Sequence, residues 1–103
     1  MRTVELDKES PNQSFFLKIN GHTVYFRFST FRDVTYADIE FDNKQIVGGM
    51  RVMPNTYLLP RVYEELIGGG FYFFSRDGSY PIYTNFDGVK NVLYFDGEII
   101  DER

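Results

Sequence analysis

The chain has 103 residues, enough for one core and too few for a second, so a single β domain spanning 1–103 is expected. Fifteen acidic against eleven basic residues give a net charge of −4, which argues against duplex nucleic acid, a partner held by cations that neutralise phosphates. The absence of cysteine excludes disulfide staples, thiolate metal sites and a cysteine nucleophile.

Thr3 to Leu6 reads as a short edge strand. No apolar run approaches the ~18–20 residues of a membrane span, and the start of the chain shows no signal-peptide core, so a soluble protein is expected. Phe15 to Ile19 alternates, with Phe15, Leu17 and Ile19 on one face. Asn20-Gly21 follows, a pair that tolerates the positive φ angles of a tight hairpin turn. His22 to Arg32 then alternates again, Val24, Phe26 and Phe28 on one face and Tyr25, Arg27 and Ser29 on the other. A third strand, Tyr36 to Asp42, points Ala37, Ile39 and Phe41 inward and Tyr36, Asp38, Glu40 and Asp42 outward. Asp42-Asn43-Lys44 turns the chain into Gln45 to Met53.

Gly48 and Gly49 interrupt that fourth strand. A phosphate loop needs its glycines between a strand and a helix, with Lys and Ser or Thr following; here Met50-Arg51-Val52 resumes the strand. A bulge or close backbone approach at Gly49 is expected, with Gly48 the less constrained. Pro60 to Ile67 breaks the period of two. Val62/Leu66 and Tyr63/Ile67 are i,i+4 pairs, Pro60 suits a first helical position and Gly68 a helix end. Gly68-Gly69-Gly70 reads as a flexible joint. Phe71 to Ser75, Ser79 to Thr84 and Asn91 to Asp96 complete the strands, punctuated by Asp77-Gly78, Asp87-Gly88 and Asp96-Gly97. Seven or eight short antiparallel strands with at most one short helical turn predict an all-β fold, a small barrel or sandwich.

Catalytic chemistry finds little support. His22 is the one histidine, and no residue near it in sequence orients it as a general base. Asp38, Glu40 and Asp42 line one strand face and invite comparison with a calcium site, which takes about six to eight oxygens. As an EF-hand loop the stretch fails, with Asn43 where glycine is needed and Gly49 where glutamate is needed. A solvated acidic face that discourages edge aggregation is the simpler reading. No enzyme activity, cofactor or metal is expected. Tyr25, Phe26, Arg27, Phe28, Phe31 and Arg32 interleave aromatic and basic residues as a single-strand-binding face does, yet alternation sends Phe26 and Phe28 away from Arg27 into the core.

In order along the chain come Asn12, Gln13 and Phe15, the Asn20-Gly21 hairpin, and Tyr36 opening a strand. Ile46-Val47, Gly49, Val52, Pro54, Leu58-Leu59 and the closing Val92-Leu93-Tyr94 follow. This order and spacing, over roughly residues 4 to 96, resembles the small baseplate plug proteins of contractile-tailed bacteriophages and prophages. Three departures are visible: Tyr36 replaces a common tryptophan, the glycine triplet lengthens the segment after Leu58-Leu59, and Gly97 to Arg103 extends the end. The resemblance implies a non-enzymatic component of the virion tail baseplate, made in the bacterial host cytoplasm and packed against hub and tube proteins. Nucleic acid and membrane are not among the partners it implies.

Eleven Phe and eight Tyr exceed what a small core needs, and aromatic residues are enriched at protein interfaces. The interface candidates are Tyr57, Leu58 and Leu59 in a loop, Tyr72 and Phe74 on one strand face, and Tyr80 and Tyr83. Two alternatives stand beside this reading: a carbohydrate-binding β domain stacking sugars on tyrosines beside the Asp38/Glu40/Asp42 face, and a single-stranded nucleic-acid-binding barrel.

Overall fold

A computed structural model describes residues 2–97. Eight strands form two four-stranded antiparallel sheets that pack face to face. The first sheet is a meander of β2 (Asn12–Ile19), β3 (His22–Phe31), β4 (Val34–Phe41) and β5 (Lys44–Arg51). The second has the order β1 (Arg2–Val4), β8 (Asn91–Phe95), β7 (Phe71–Ser75), β6 (Thr56–Tyr57). Both sheets have open edges, which makes the fold a sandwich and not a closed barrel.

Three two-residue turns hold the meander: Asn20-Gly21, Arg32-Asp33 and Asp42-Asn43, all six residues at positive φ. That backbone matches the right-handed twist of the flanking strands, so each turn fixes its register. Ile19 pairs with His22, Phe31 with Val34 and Phe41 with Lys44. Inward alternation is as expected: Leu17, Ile19, Val24, Phe26, Phe28, Ala37, Ile39 and Phe41 are buried.

The two sheets meet through phenylalanines. Phe26 of β3 meets Phe71 of β7 edge to face at 4.7 Å, and Phe28 meets Phe73 at 5.7 Å. Phe95 and Phe86 extend the cluster at 4.9 and 5.6 Å. Burying one such ring is worth roughly 1.5–3 kcal/mol, so this seam carries much of the packing between sheets.

The glycine pair sits at a β-bulge. Ala37 pairs with Met50 and Ile39 with Val47, so Asp38 alone faces both Gly48 and Gly49. A second shift between Ile39 and Glu40 leaves Ile46 as a further extra residue. Gly49 has φ +61, and its N–H donates to Asp38 Oδ1 at 2.7 Å.

Other expectations need correction. Ser79 to Thr84 is not a strand: Pro81 brings no N–H donor, and Tyr83–Asn85 forms a 3-10 turn. The Ile82 N–H is taken by the Asn91 side chain at 3.2 Å instead of by a ladder partner. The helix is α1 (Arg61–Ile67), with Pro60 just before it and not as its first residue. Gly68 ends it in the left-handed conformation, φ 74. The triplet that follows is a packed junction, not a flexible joint. A Cβ on Gly69 would lie 2.5 Å from the Gly97 nitrogen, and Asp96 N–H donates to Gly70 O at 3.0 Å. Thr56–Tyr57 adds a two-residue strand that no local sequence pattern marks. Of the C-terminal extension, residues 98–103 lie outside the described residues.

Candidate functional site

Strand alternation divides the aromatic residues of the second sheet. Phe71, Phe73, Leu93 and Phe95 face the core, so Tyr72, Phe74 and Tyr94, all half-buried, lie on the opposite face together with Val92, which is itself covered at 3% exposure. Register then aligns them across strands. Tyr57 pairs with Tyr72, Tyr72 with Tyr94, and Tyr94 with Thr3, forming one row; Phe74 and Val92 form the next. The Tyr57 and Tyr72 rings meet edge to face at 5.1 Å, and Phe74 and Tyr94 at 6.2 Å. The result is a half-exposed aromatic surface made by Tyr57, Tyr72, Phe74 and Tyr94.

Tyr57 is 49% exposed, and its ring is held from below. Its hydroxyl donates to Asp96 Oδ2 at 2.8 Å, while Asp96 Oδ1 accepts the Gly70 N–H at 2.5 Å. The hydrogen bond to Asp96, with a smaller contribution from burial, pushes the Tyr57 phenol above its usual 10.0. Beside them Glu64 Oε2 is buried and accepts no hydrogen bond from the described residues. Tyr57 therefore stays neutral and is held at its hydroxyl while about half of it remains exposed.

The seven interface candidates separate into three groups. Tyr57, Tyr72 and Phe74 share the outer face. Leu58 and Leu59 do not join them: both are buried in the core cluster, since the chain turns inward between Tyr57 and α1. Tyr80 and Tyr83 lie in the loop after β7, where the Arg51 guanidinium sits 4.0 Å over the Tyr80 ring and Tyr83 packs against the core. Tyr94 belongs to the face and was not among the candidates. The alternation of Asn91 to Phe95, which buries Leu93 and Phe95, is the signal that identifies it.

The acidic row occupies the other sheet. Asp38 Oδ2 accepts from Arg27 Nε at 3.3 Å while Oδ1 accepts the Gly49 N–H. Asp42 Oδ2 lies 2.6 Å from His22 Nδ1, and Oδ1 accepts the Thr23 N–H at 2.8 Å. The hydrogen bond with His22, then that with Thr23, holds the Asp42 carboxyl below its usual 3.8, so Asp42 is ionised and His22 Nδ1–H is the donor. No residue close to His22 in sequence supplied this partner; the β3–β4 register supplies it from twenty positions away. Among the described residues, no three acidic or histidine side chains converge as a metal ion would require. Phe26 and Phe28 are in the core, as alternation required, and Arg27 is paired with Asp38.

No curated protein sequence matches the chain at a significant level. A family model described as "Cyanophage baseplate Pam3 plug gp18" matches residues 1–98. With nearly the whole chain aligned to that model, including both sheets and the aromatic face, the chain belongs to this family of phage baseplate plug proteins.

Proposed function

We propose that the chain is a non-enzymatic structural component of a phage or prophage tail baseplate, docking onto hub and tube proteins through the outer face of β6, β7 and β8. Membership in a baseplate plug family implies association with other baseplate components and a place in the virion tail. The observation that carries the finer reading is the row Tyr57, Tyr72 and Tyr94 with Phe74 beside it. Tyrosine and phenylalanine held by cross-strand packing bring large apolar area with little side-chain entropy left to lose, and such anchors dominate interface energetics.

Four carboxyls serve as structural ties. Asp7, Asp42, Asp77 and Asp87 all have carboxyls held below their usual value. In each the leading cause is a hydrogen bond from a nearby group: Glu9 N–H for Asp7, His22 for Asp42, Ser79 Oγ–H for Asp77, Lys90 N–H for Asp87. These groups are turn ties, ionised at neutral pH. None of these four is therefore suited to be a glycosidase acid, which needs a carboxyl raised toward neutrality. The carbohydrate alternative called for aromatics beside Asp38, Glu40 and Asp42; register sets Tyr25 and Phe16 beside Glu40, and Tyr36 shares the outer strand face of Asp38, so sugar stacking on that face stands as the second reading.

The test is co-expression of the tagged chain with hub and tube proteins of the same phage. A Tyr72→Ser/Phe74→Ser double variant is expected to fold, losing at most about 1 kcal/mol per cross-strand pair, and to stop co-purifying with them. A Tyr25→Ser variant on the other sheet is expected to co-purify as the wild type does. Retained co-purification by the double variant would remove the docking role of this face.

A further inference from the structure

The four sheet edges are unequal. β1 has three residues and β6 has two, while β5 is broken by two register shifts around Gly48 and Gly49. Short strands and bulges are the usual protections against unwanted strand pairing. β2 has neither. It runs eight residues in unbroken register with β3, contains no proline or glycine, and carries one charge, Lys18.

Hydrogen-bond phase shows which groups that edge presents. The two-residue turn makes Ile19 and His22 a mutually bonded pair, and Thr30 N–H donates to Pro11 O at 2.7 Å in the same phase. Odd-numbered residues of β2 therefore bond to β3. Asn12, Ser14, Phe16 and Lys18 direct both N–H and C=O away from it, and among the described residues these backbone groups have no strand partner. All four residues are exposed.

We infer that this edge pairs with the same edge of a second copy of the chain, antiparallel and centred on Phe15. Of the antiparallel registers, this one alone uses all four outward residues on both strands: Asn12 opposite Lys18, Ser14 opposite Phe16, and the reciprocal pairs. Shifting by one pairing step in either direction leaves Lys18 or Asn12 unpaired. The centred register also sets each Lys18, the only charge on the strand, against a neutral Asn12, so two chains of net charge −4 meet without like charges facing each other on the strand. The two Phe15 side chains approach across the twofold axis, each already stacked on its own Phe26 at 5.2 Å. Two meanders then become one continuous eight-stranded sheet. This pairing stands independently of the aromatic docking face, which lies on the other sheet.

Sedimentation of the full-length chain at high micromolar concentration tests it, and a dimer is expected. Ser14→Pro removes one outward N–H and no bond to β3, the placement at which an edge strand accepts proline, so a monomer with an unchanged circular dichroism spectrum is expected. In a second measurement, Phe15→Cys supplies the only thiol in a chain without cysteine. Non-bonded antiparallel partners have Cα atoms about 4.5 Å apart, within disulfide reach, so mild oxidation is expected to give a covalent dimer. A wild-type chain that stays monomeric overturns the inference, as does a Ser14→Pro dimer or a Phe15→Cys chain that resists cross-linking. A monomer whose Asn12 and Phe16 amides gain exchange protection only when a hub or tube protein is added would also overturn it, giving the edge to that neighbour.

Discussion

Gly49 shows how one backbone angle sets the end of the meander. Its φ of +61 is a region that side chains with a Cβ enter at a cost, yet a Cβ there would meet nothing within 4 Å. The constraint is conformational and not steric. Gly49→Val is therefore expected to destabilise the protein by about 1–2 kcal/mol, and Gly49→Asn by less, because asparagine tolerates the left-handed region. Denaturant unfolding of the two variants checks this, and a neutral valine variant would count against a conformational role. At Gly48 an added Cβ meets the end of the Gln45 side chain, which can move, and comes into ordinary contact with Asp38 Oδ1, so Gly48 is the less constrained of the pair, as the sequence suggested. Legibility at this scale depends on residue type. Asn20-Gly21 announces a turn, whereas Arg32-Asp33 does the same work without glycine or asparagine and could not be read as a two-residue turn in advance.

Elements with a strong period were legible, and elements defined by a distant partner were not. β2 to β4 follow from alternation because each strand turns every second residue inward and the turns are local; β5 follows from the turn before it, since its bulges break the alternation and leave none of its residues fully buried. Thr56–Tyr57 is two residues long and exists because Phe73 and Tyr72 lie opposite; no local pattern announces it. Ser79 to Thr84 failed for the converse reason, since its alternation is real but Pro81 and the Asn91 side chain divert it. The aromatic face was half legible: Tyr72 and Phe74 came from alternation in β7, while placing Leu58 and Leu59 needed the path of the chain into α1. That path ends in the Gly68-Gly69-Gly70 junction, where the α1 terminus abuts Asp96-Gly97. Gly69→Ala would drive a Cβ to 2.5 Å from the Gly97 nitrogen and 2.6 Å from its Cα. Backbone cannot yield there as a side-chain tip can, so a loss of about 1–3 kcal/mol is expected. An alanine variant with wild-type melting behaviour would show that the junction has slack.

At the scale of the molecule, two sheets are joined by one seam of rings. Phe26→Ala and Phe71→Ala are each expected to cost about 3–5 kcal/mol. Because the rings touch at 4.7 Å, the double variant is expected to lose less than the sum. Strict additivity in denaturant titrations would show that the sheets are not coupled through this pair. The sheets also differ in how the chain supplies them. The meander is contiguous, residues 12 to 51, and each strand pairs with the next. The other sheet draws β1 from residues 2–4 and pairs it with Leu93 to Phe95. Local pairings close quickly and distant ones slowly, and synthesis adds an order of its own. The meander is complete in sequence by Arg51, but Val4 has no strand to join until Leu93 has left the ribosome. The first strand to be made is among the last to be placed, and until then β8 has an uncovered edge in the crowded cell.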